Sequence, residues 1–273
     1  MKYRLIAIDL DGTFLNEDSK ISPRNKHAVR EAVKRGTILT VATGRMFRTS
    51  IPYVRELELN VDWPMINYHG ALIKTTESRE TLYYQPLENS LAISIAKYAE
   101  AEGYHVNVFI GDRLYVEAEN EFSRYYQSIA DVDLEAVGKL TPFLKQCGED
   151  PAKLTIINWD GRICDIEAVL KAKYGDKIAA LQSLPHFLEI TNRLATKGQA
   201  LRWLARWFNI RPEEIIAFGD SYNDLDMIEY AGLGVAMANA RPEIRRSADL
   251  VTASNAEDGV ARIIEDYVLL NFE

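Results

Sequence analysis

Two carboxylates follow directly on a short apolar run near the start of the chain. Residues 4–8 are mostly Ile and Leu, which predicts a buried strand, and Asp9, Asp11 and Gly12 come next. Residues two apart in an extended chain point to the same side, so we expect both carboxylates to face one space, and Gly12 permits the turn that leaves the strand. Like charges this close need a cation, and oxygen-only ligands favour Mg²⁺. An ordinary Asp-Gly turn after a core strand is the alternative interpretation.

Three further polar groups follow apolar runs or begin helices. They are Thr43 with Gly44, Lys197, and Asp220 with Asn223 and Asp224. Taken singly, a turn, a surface lysine and a helix cap account for them. The carboxyl ends of parallel strands meet at one edge of a sheet, however, and the spacings of three and four in the last group favour one helix face. Their joint occurrence predicts one site.

The pattern of elements predicts an α/β fold with two parts. Apolar β-type runs alternate with helical periodicity at both ends of the chain, which predicts a doubly wound, Rossmann-like parallel sheet. The middle has a mixed order of hairpins, strands and helices, which predicts an inserted α+β domain. We therefore predict a core made of residues 1–83 and 189–273, interrupted by an insert of residues 84–188.

The bulk composition narrows the class of protein. The chain has 273 residues and a net charge of −8, which disfavours a nucleic-acid partner. Cys147 and Cys164 form no metal or disulfide pattern, so we expect a reducing compartment and a cytoplasmic location. The first ten residues do not read as a signal peptide, and no apolar run is long enough to predict a membrane span. Nothing in the sequence predicts an oligomeric state.

At this point the residues resemble the haloacid dehalogenase superfamily, specifically its Cof-type phosphatases with a large type IIB cap. The resemblance covers the core at both ends of the chain, whereas the middle is similar only in length and position. The matching segments are Asp9-Leu-Asp11-Gly12-Thr13, Thr43-Gly44-Arg45, Lys197-Gly198, Gly219-Asp220-Ser221-Tyr222-Asn223-Asp224, and the tail segments Gly232 to Met237, Asn239-Ala240, Ala248-Asp249 and Asp258-Gly259-Val260.

The resemblance implies a role for each acid. Asp9 is expected to be the nucleophile that forms an aspartyl-phosphate. Asp11 is expected to protonate the leaving alcohol and then to activate the hydrolytic water. The Mg²⁺ cofactor is expected to be held by Asp9, the backbone carbonyl of Asp11 and Asp220, with Asp224 in support.

The resemblance also implies a set of phosphate-binding residues. They are Leu10, Thr43, the Gly44 amide, Lys197 and Asn223, and the alternative role for Asn223 is to support Asp220. Lys197 is expected to offset the charge on the nucleophile and the phosphoryl group, since an anionic nucleophile must meet an anionic phosphate. The expected catalytic set is therefore the two acids of the first motif together with Thr43 and Lys197.

The chain departs from the family pattern in two places. The family usually has Asn-Gly-Ala after the third strand, and this chain has His69-Gly70-Ala71. His69 is interpreted as either a substrate contact or a packing residue. The second departure is Thr191-Asn192-Arg193, which is less typical of the family. Asn192 and Arg193 lie where the insert rejoins the core, so we treat them as candidate substrate contacts. Arg45 is a candidate for binding a second anionic group, and Arg48 is too, although a solvated helix face also explains Arg48.

The sequence thus predicts a Mg²⁺-dependent phosphatase that hydrolyses small phosphorylated metabolites, such as sugar phosphates, nucleotides or phosphorylated cofactors. Two alternatives stay open at this point. One is a non-catalytic regulator that binds Mg²⁺ and phosphate on the same fold, and the other is a phosphomutase. The predicted partner is a small molecule, with neither nucleic acid nor membrane.

Overall fold

The computed structural model describes residues 2–59 and 61–270, which form two compact units. The first unit comprises the chain up to Tyr83 and again from Thr196, and the second is Tyr84–Ala195. The sequence pattern predicts that the chain returns to the core at residue 189. In the structure the strand Phe187–Asn192 pairs within the sheet of the second unit, which is why that unit extends to Ala195.

The first unit is built on an eight-stranded sheet with helices between the strands. Its first-half elements are β1 (Leu5–Asp9), α1 (Pro23–Lys34), β2 (Ile38–Ala42), α2 (Phe47–Arg55), β3 (Pro64–Asn67), β4 (Leu72–Thr75) and β5 (Thr81–Tyr84). The second unit contains α3 (Asn89–Glu102), β6 (His105–Ile110), β7 (Arg113–Val116), α4 (Glu121–Ala130), β8 (Leu134–Ala136), α5 (Leu140–Cys147), β9 (Lys153–Ile157), α6 (Ile163–Tyr174), β10 (Ile178–Leu184) and β11 (Phe187–Asn192). The chain then completes the first unit with α7 (Lys197–Trp207), β12 (Ile215–Gly219), α8 (Leu225–Tyr230), β13 (Leu233–Ala236), α9 (Pro242–Ser247), β14 (Leu250–Val251) and α10 (Gly259–Ile264).

The core sheet has the strand order β14-β13-β12-β1-β2-β3-β4-β5. All pairs from β14 to β3 are parallel, and β4 returns antiparallel to β3. The strand β1 lies in the middle and is fully buried, as its apolar run predicted. Asp9 pairs in register with Ala42, the last residue of β2. This register brings the loops that follow β1 and β2 together at the carboxyl edge of the sheet. The α/β prediction is confirmed.

Local signals explain where the two best-defined core helices begin. The Ser22 side chain accepts a hydrogen bond from the backbone N–H of Asn25, and Pro23 is the first residue of α1. The Thr196 hydroxyl accepts from the N–H of Gln199 in the same way. Because Thr196 is the N-cap, Lys197 is the first residue of α7. The helix then buries Leu201 and its neighbours against the sheet.

The second unit is a six-stranded sheet with the order β10-β11-β9-β6-β7-β8. Its strands are antiparallel except for the β7–β8 pair. Alternate residues of the central strands, such as Val106 and Val108 of β6, join an apolar core with α3, α5 and α6. The other set of alternate residues is partly polar and includes His105 and Asn107, which are nevertheless buried.

Several elements were not predicted. They are β4, β8, β10 and α5. The strands β4 and β8, of four and three residues, carry too little alternation to be recognised, and α5 contains Pro142 within eight residues. Helix α10 is followed directly by a π-helical turn, Glu265–Leu269. Within the described residues no helix is both long and apolar enough to cross a bilayer.

Candidate active site

The carboxyl edge of the core sheet carries a buried lysine between two aspartates. The Nζ of Lys197 lies 2.5 Å from Oδ1 of Asp9 and 2.6 Å from Oδ1 of Asp224. All three side chains are almost completely buried. Charged groups at this depth require partners, because an unpaired buried charge costs several kcal/mol. The three groups therefore fix one another, and they join the end of β1, the first residue of α7 and the turn that follows β12.

Asp224 is held by backbone groups as well as by the lysine. Its Oδ2 accepts hydrogen bonds from the N–H groups of Asp220, at 3.1 Å, and Ser221, at 3.0 Å. Both donors lie at the start of the turn that begins α8. A Cβ on Gly219 would come within 2.3 Å of the Asp224 Cβ, so only glycine permits this close approach. With both oxygens engaged, Asp224 serves as a rigid support for the lysine and the β12 loop.

Asp220 is oriented by two hydroxyl groups. The Thr13 hydroxyl donates to its Oδ1 and the Ser221 hydroxyl donates to its Oδ2, both at 3.1 Å. Gly12 has a φ of +81°, and a Cβ there would lie 2.7 Å from Asp220 Oδ2. Neither hydroxyl was assigned a role from the sequence. Thr13 was part of the first matching segment, but it lies in the turn after β1, where strand alternation no longer indicates the direction of a side chain.

Asp9, Asp220 and Asp224 together have the composition of a hard-cation site. One carboxylate oxygen from each of Asp9, Asp220 and Asp224 lies within 4.8 Å of the others. Oxygen donors from carboxylates suit Mg²⁺. The donor set therefore fits a divalent cation. The carboxylate of Asp11 is not part of this cluster; the resemblance assigned its backbone carbonyl to the metal.

The electrostatics of the cluster follow from burial and like charge. Burial raises the pKa of Asp9 well above its usual range, and the Asp224 carboxylate adds to the rise while Lys197 opposes it. Burial also raises the pKa of Asp220, again with Asp224, against the two hydroxyl donors. For Lys197 burial alone would lower the pKa, but Asp224 and Asp9 outweigh it and the net pKa is raised. A cation is thus permanently present beside Asp9.

Asp11 makes a two-pronged ion pair with Arg45. The Arg45 Nε and Nη2 lie 2.8 Å and 2.5 Å from the two carboxylate oxygens of Asp11. The guanidinium also donates to the Tyr53 hydroxyl at 3.2 Å and lies over that ring. The Asp11 side chain is about half exposed, in contrast to buried Asp9. In this conformation both carboxylate oxygens of Asp11 accept hydrogen bonds from one guanidinium group.

The remaining predicted phosphate ligands also meet at this edge. Thr43 is buried, and its hydroxyl accepts the backbone N–H of Arg45 at 3.1 Å. The ring of His69 lies against Gly44, and its Nδ1 lies 3.3 Å from the side-chain nitrogen of Asn223. The sequence left open whether His69 packs or contacts substrate; in the structure it is 9% exposed and bridges two loops.

Leu10 and Asn192 were also predicted to bind substrate or phosphate, but their side chains lie in other surroundings. The Leu10 side chain is buried, and its carbonyl accepts the N–H of Leu15 at 2.9 Å. Asn192 lies at the end of β11 in the second unit. Its Nδ2 donates to the carbonyl of Pro86, and its Oδ1 accepts the N–H of Leu194, both at 2.9 Å. The Asn192 amide is therefore engaged at both ends by backbone groups of its own unit.

A pair of asparagines ties the first motif to the C-terminal part of the core. Asn239 donates to the carbonyl of Gly12 at 2.7 Å and accepts the N–H of Asn255 at 3.1 Å. Asn255 in turn donates to the carbonyl of Leu15 at 2.8 Å. Asn239 belongs to one of the segments that match the family, but the sequence predicts no role for it. Its role is to fix the loop that follows Asp9 and Asp11.

Known proteins share this fold and these segments. The family model for haloacid dehalogenase-like hydrolases matches residues 6–264. A Bacillus subtilis relative, 5-amino-6-(5-phospho-D-ribitylamino)uracil phosphatase YitU, is 31% identical, and the match covers 97% of this chain and 98% of that protein. A haloacid dehalogenase-like hydrolase from Bacteroides thetaiotaomicron is 31% identical with a TM-score of 0.88, covering 97% of this chain and 99% of that one. A subclass IIB sugar phosphatase of the superfamily, at 24% identity, shares the fold with a TM-score of 0.82 over 97% of this chain and 98% of the other.

The chain therefore belongs to the haloacid dehalogenase-like hydrolases, as a Cof-type member. Within that class it is a phosphoric monoester hydrolase. The family resemblance stated from the sequence motifs is confirmed.

Proposed function

We propose that this protein is a Mg²⁺-dependent phosphatase of small phosphorylated metabolites that works through an aspartyl-phosphate on Asp9. The observation that carries the proposal is the buried Asp9–Lys197–Asp224 arrangement, with Asp220 beside it. It supplies one carboxylate with a fixed orientation, one cation beside it and an oxygen-rich cluster. These are the parts that an anionic nucleophile needs to approach an anionic phosphate.

In the first step Asp9 is the nucleophile. The carboxylate oxygen that Lys197 does not hold attacks phosphorus, and the bond from phosphorus to the substrate oxygen breaks. The lysine keeps Asp9 oriented and offsets part of the negative charge of the phosphoryl group. Its raised pKa means that this charge is present throughout the neutral pH range.

Asp11 supplies the proton for the leaving oxygen and then accepts one from the attacking water. The water attacks phosphorus of the aspartyl-phosphate, which releases inorganic phosphate and restores Asp9. To act as a donor, Asp11 must be protonated, and its ion pair with Arg45 has to open. Arg45 is then available for the anionic substrate, which is why both residues are assigned to the same step.

The cation is assigned to Asp9, the backbone carbonyl of Asp11 and Asp220, with Asp224 in support. Mg²⁺ bound there would neutralise charge on the carboxylates and polarise a phosphoryl oxygen. The Thr13 and Ser221 hydroxyls keep both oxygens of Asp220 turned into the cluster. Thr43, the Gly44 amide and Asn223 are assigned to the remaining phosphoryl oxygens.

For the substrate, we propose a phosphate monoester on a small polar carbon skeleton. The relative YitU is named for a phosphorylated ribitylamino-pyrimidine, which makes polyol phosphates one class to include in a test. The net charge of −8 argues against large polyanions such as nucleic acid as substrates. Sugar phosphates, nucleotides and phosphorylated cofactors complete the panel.

The test is phosphate release by the purified protein from that panel and from p-nitrophenyl phosphate, with and without Mg²⁺. We expect turnover that requires the metal and that is lost in Asp9→Asn. Isomerised sugar phosphate without free phosphate would indicate a phosphomutase instead. A folded protein that binds phosphate but turns over no compound in the panel would support the non-catalytic regulator and would sink the proposal.

A further inference from the structure

We propose that His69 is a positioning residue for the phosphate-binding loops, holding Asn223 and Gly44 at a fixed separation. The inference rests on the phosphatase function proposed above and adds a residue for which the usual family pattern has Asn. It is drawn from three contacts of one side chain and its backbone, each within the first unit.

The backbone of His69 is anchored to the loop after β2. Its N–H donates to the carbonyl of Thr43 at 3.0 Å, and the N–H of Tyr68 donates to the carbonyl of Arg45 at 3.1 Å. His69 itself has φ 58° and ψ 19°, in the left-handed region that L residues seldom adopt. This turn directs the imidazole back over the β2 loop instead of along β3.

The ring fills the space above Gly44. A Cβ placed on Gly44 would lie 2.3 Å from the ring Cε1 and 2.5 Å from Nε2. Real Cβ atoms do not approach so closely, so a side chain at position 44 would require the His69 ring to move. The φ of Gly44 lies outside the positive region, which means that the ring and not backbone strain is what excludes a side chain there.

The inner nitrogen of the ring faces Asn223. Nδ1 lies 3.3 Å from Asn223 Nδ2, and an amide NH₂ can only donate, so Nδ1 is the acceptor. His69 therefore orients the Asn223 side chain, which belongs to the loop after β12, relative to a glycine in the loop after β2.

Two substitutions separate the two contacts. His69→Asn keeps an acceptor near the Nδ1 position and tolerates the left-handed backbone, but it lacks the outer edge of the ring. His69→Phe keeps the ring over Gly44 and has no acceptor for Asn223. The probe is inorganic phosphate, measured as a competitive inhibitor of p-nitrophenyl phosphate hydrolysis and as a ligand by calorimetry in the presence of Mg²⁺.

We expect His69→Phe to weaken phosphate binding by roughly 3- to 10-fold, the usual value of one hydrogen bond. The inhibition constant and KM rise together, while kcat changes less. His69→Asn is expected to fall between the wild type and His69→Phe. A merely structural role would instead lower the active fraction and leave the phosphate constant and KM unchanged.

The ring contact is tested by a double-mutant cycle with Gly44→Ala. In the wild type the new methyl group collides with the ring, so we expect a loss of phosphate affinity of about tenfold or more. In the His69→Asn background the same substitution is expected to cost several-fold less. This cycle still decides the question if His69→Phe does not fold, because neither Asn nor Ala adds bulk beyond the site.

His105→Phe is the matched control, since His105 is a buried histidine with asparagine partners in the other unit. It is expected to leave the phosphate constant unchanged. An unaltered phosphate constant in folded His69→Phe, or an equal cost of Gly44→Ala in both backgrounds, would overturn the inference. If the wild type binds phosphate but hydrolyses no compound, only the proposed phosphatase function is contradicted. Calorimetry of the same variants still measures the effect of His69 on phosphate binding.

Discussion

The ammonium nitrogen of Lys197 lies 2.5 Å from Oδ1 of Asp9, although 188 positions separate the two residues along the chain. The contact exists because β1 and α7 both end or begin at the carboxyl edge of one parallel sheet. Both groups are buried, so their charges interact with little screening from solvent. The proposed nucleophile is therefore oriented and electrostatically matched before any substrate arrives.

Replacing Lys197 with Met leaves Asp9 and Asp224 buried together without their cation. We expect a loss of about 3–5 kcal/mol in the free energy of unfolding, as for other broken buried pairs, and a fall in kcat/KM of at least a hundredfold, on the order of an oxyanion-stabilising group. Urea unfolding and steady-state kinetics measure the two effects. Adding Asp224→Asn should restore part of the stability but none of the activity; unchanged stability in the single variant would contradict the burial argument.

Asp11→Asn should separate the two chemical steps. The leaving group p-nitrophenolate needs no proton, so Asp9 can still be phosphorylated, whereas the hydrolytic water lacks its base. We expect one equivalent of p-nitrophenol in a burst, followed by turnover slowed roughly a hundredfold or more. Mass spectrometry of the quenched protein should detect one phosphoryl group. Asp9→Asn is the control and should give neither the burst nor the added mass.

Adding Mg²⁺ should stabilise the folded protein. The three carboxylates of Asp9, Asp220 and Asp224 repel one another, and a ligand that binds only the folded state at 100 times its Kd adds about 2.7 kcal/mol. Thermal unfolding with increasing Mg²⁺ measures the effect. Asp220→Asn should remove most of the Mg²⁺-dependent shift while keeping its hydroxyl partners. An equal shift in this variant and in the wild type would place the ion elsewhere.

His105 should make the second unit less stable in acid. Asn120 Oδ1 accepts the N–H of Ser123, which turns Asn120 Nδ2 toward the His105 Nδ1, so Nδ1 is an acceptor and the ring is neutral. Burial lowers the pKa of His105 below 6.5, against smaller opposing effects of Asn107 and Glu117. The unfolded chain therefore takes up a proton first, and stability that is fully present above pH 6.5 declines below it.

The measurement is urea unfolding of the wild type and of His105→Gln between pH 8 and pH 5. Gln cannot titrate, so its stability should fall less across that range, whatever its absolute value. The local probe is Trp159, which contacts Phe122 next to His105 in the same unit. Parallel pH profiles for the two proteins would show that another group is responsible.

The candidate catalytic residues and the α/β fold class could both be predicted from the amino-acid sequence alone. Apolar runs that end in Asp9, Thr43 and Asp220 predict buried parallel strands with polar ends, because alternation and composition are local properties. The start of α7 at Lys197 is likewise local, since Thr196 is a helix cap. The motif order was sufficient to indicate the family.

The contacts between those side chains, in contrast, are visible only in the folded chain. Three contacts depend on side-chain rotamers and on the register of β1 against its neighbours. They are the hydrogen bonds from Arg45 to Asp11, the packing of the His69 ring over Gly44 and the hydrogen bond from the Thr13 hydroxyl to Asp220. The short strands and the extent of the second unit to Ala195 depend on pairing between distant segments. Such contacts arise from the packing of the whole chain, and no local sequence pattern encodes them.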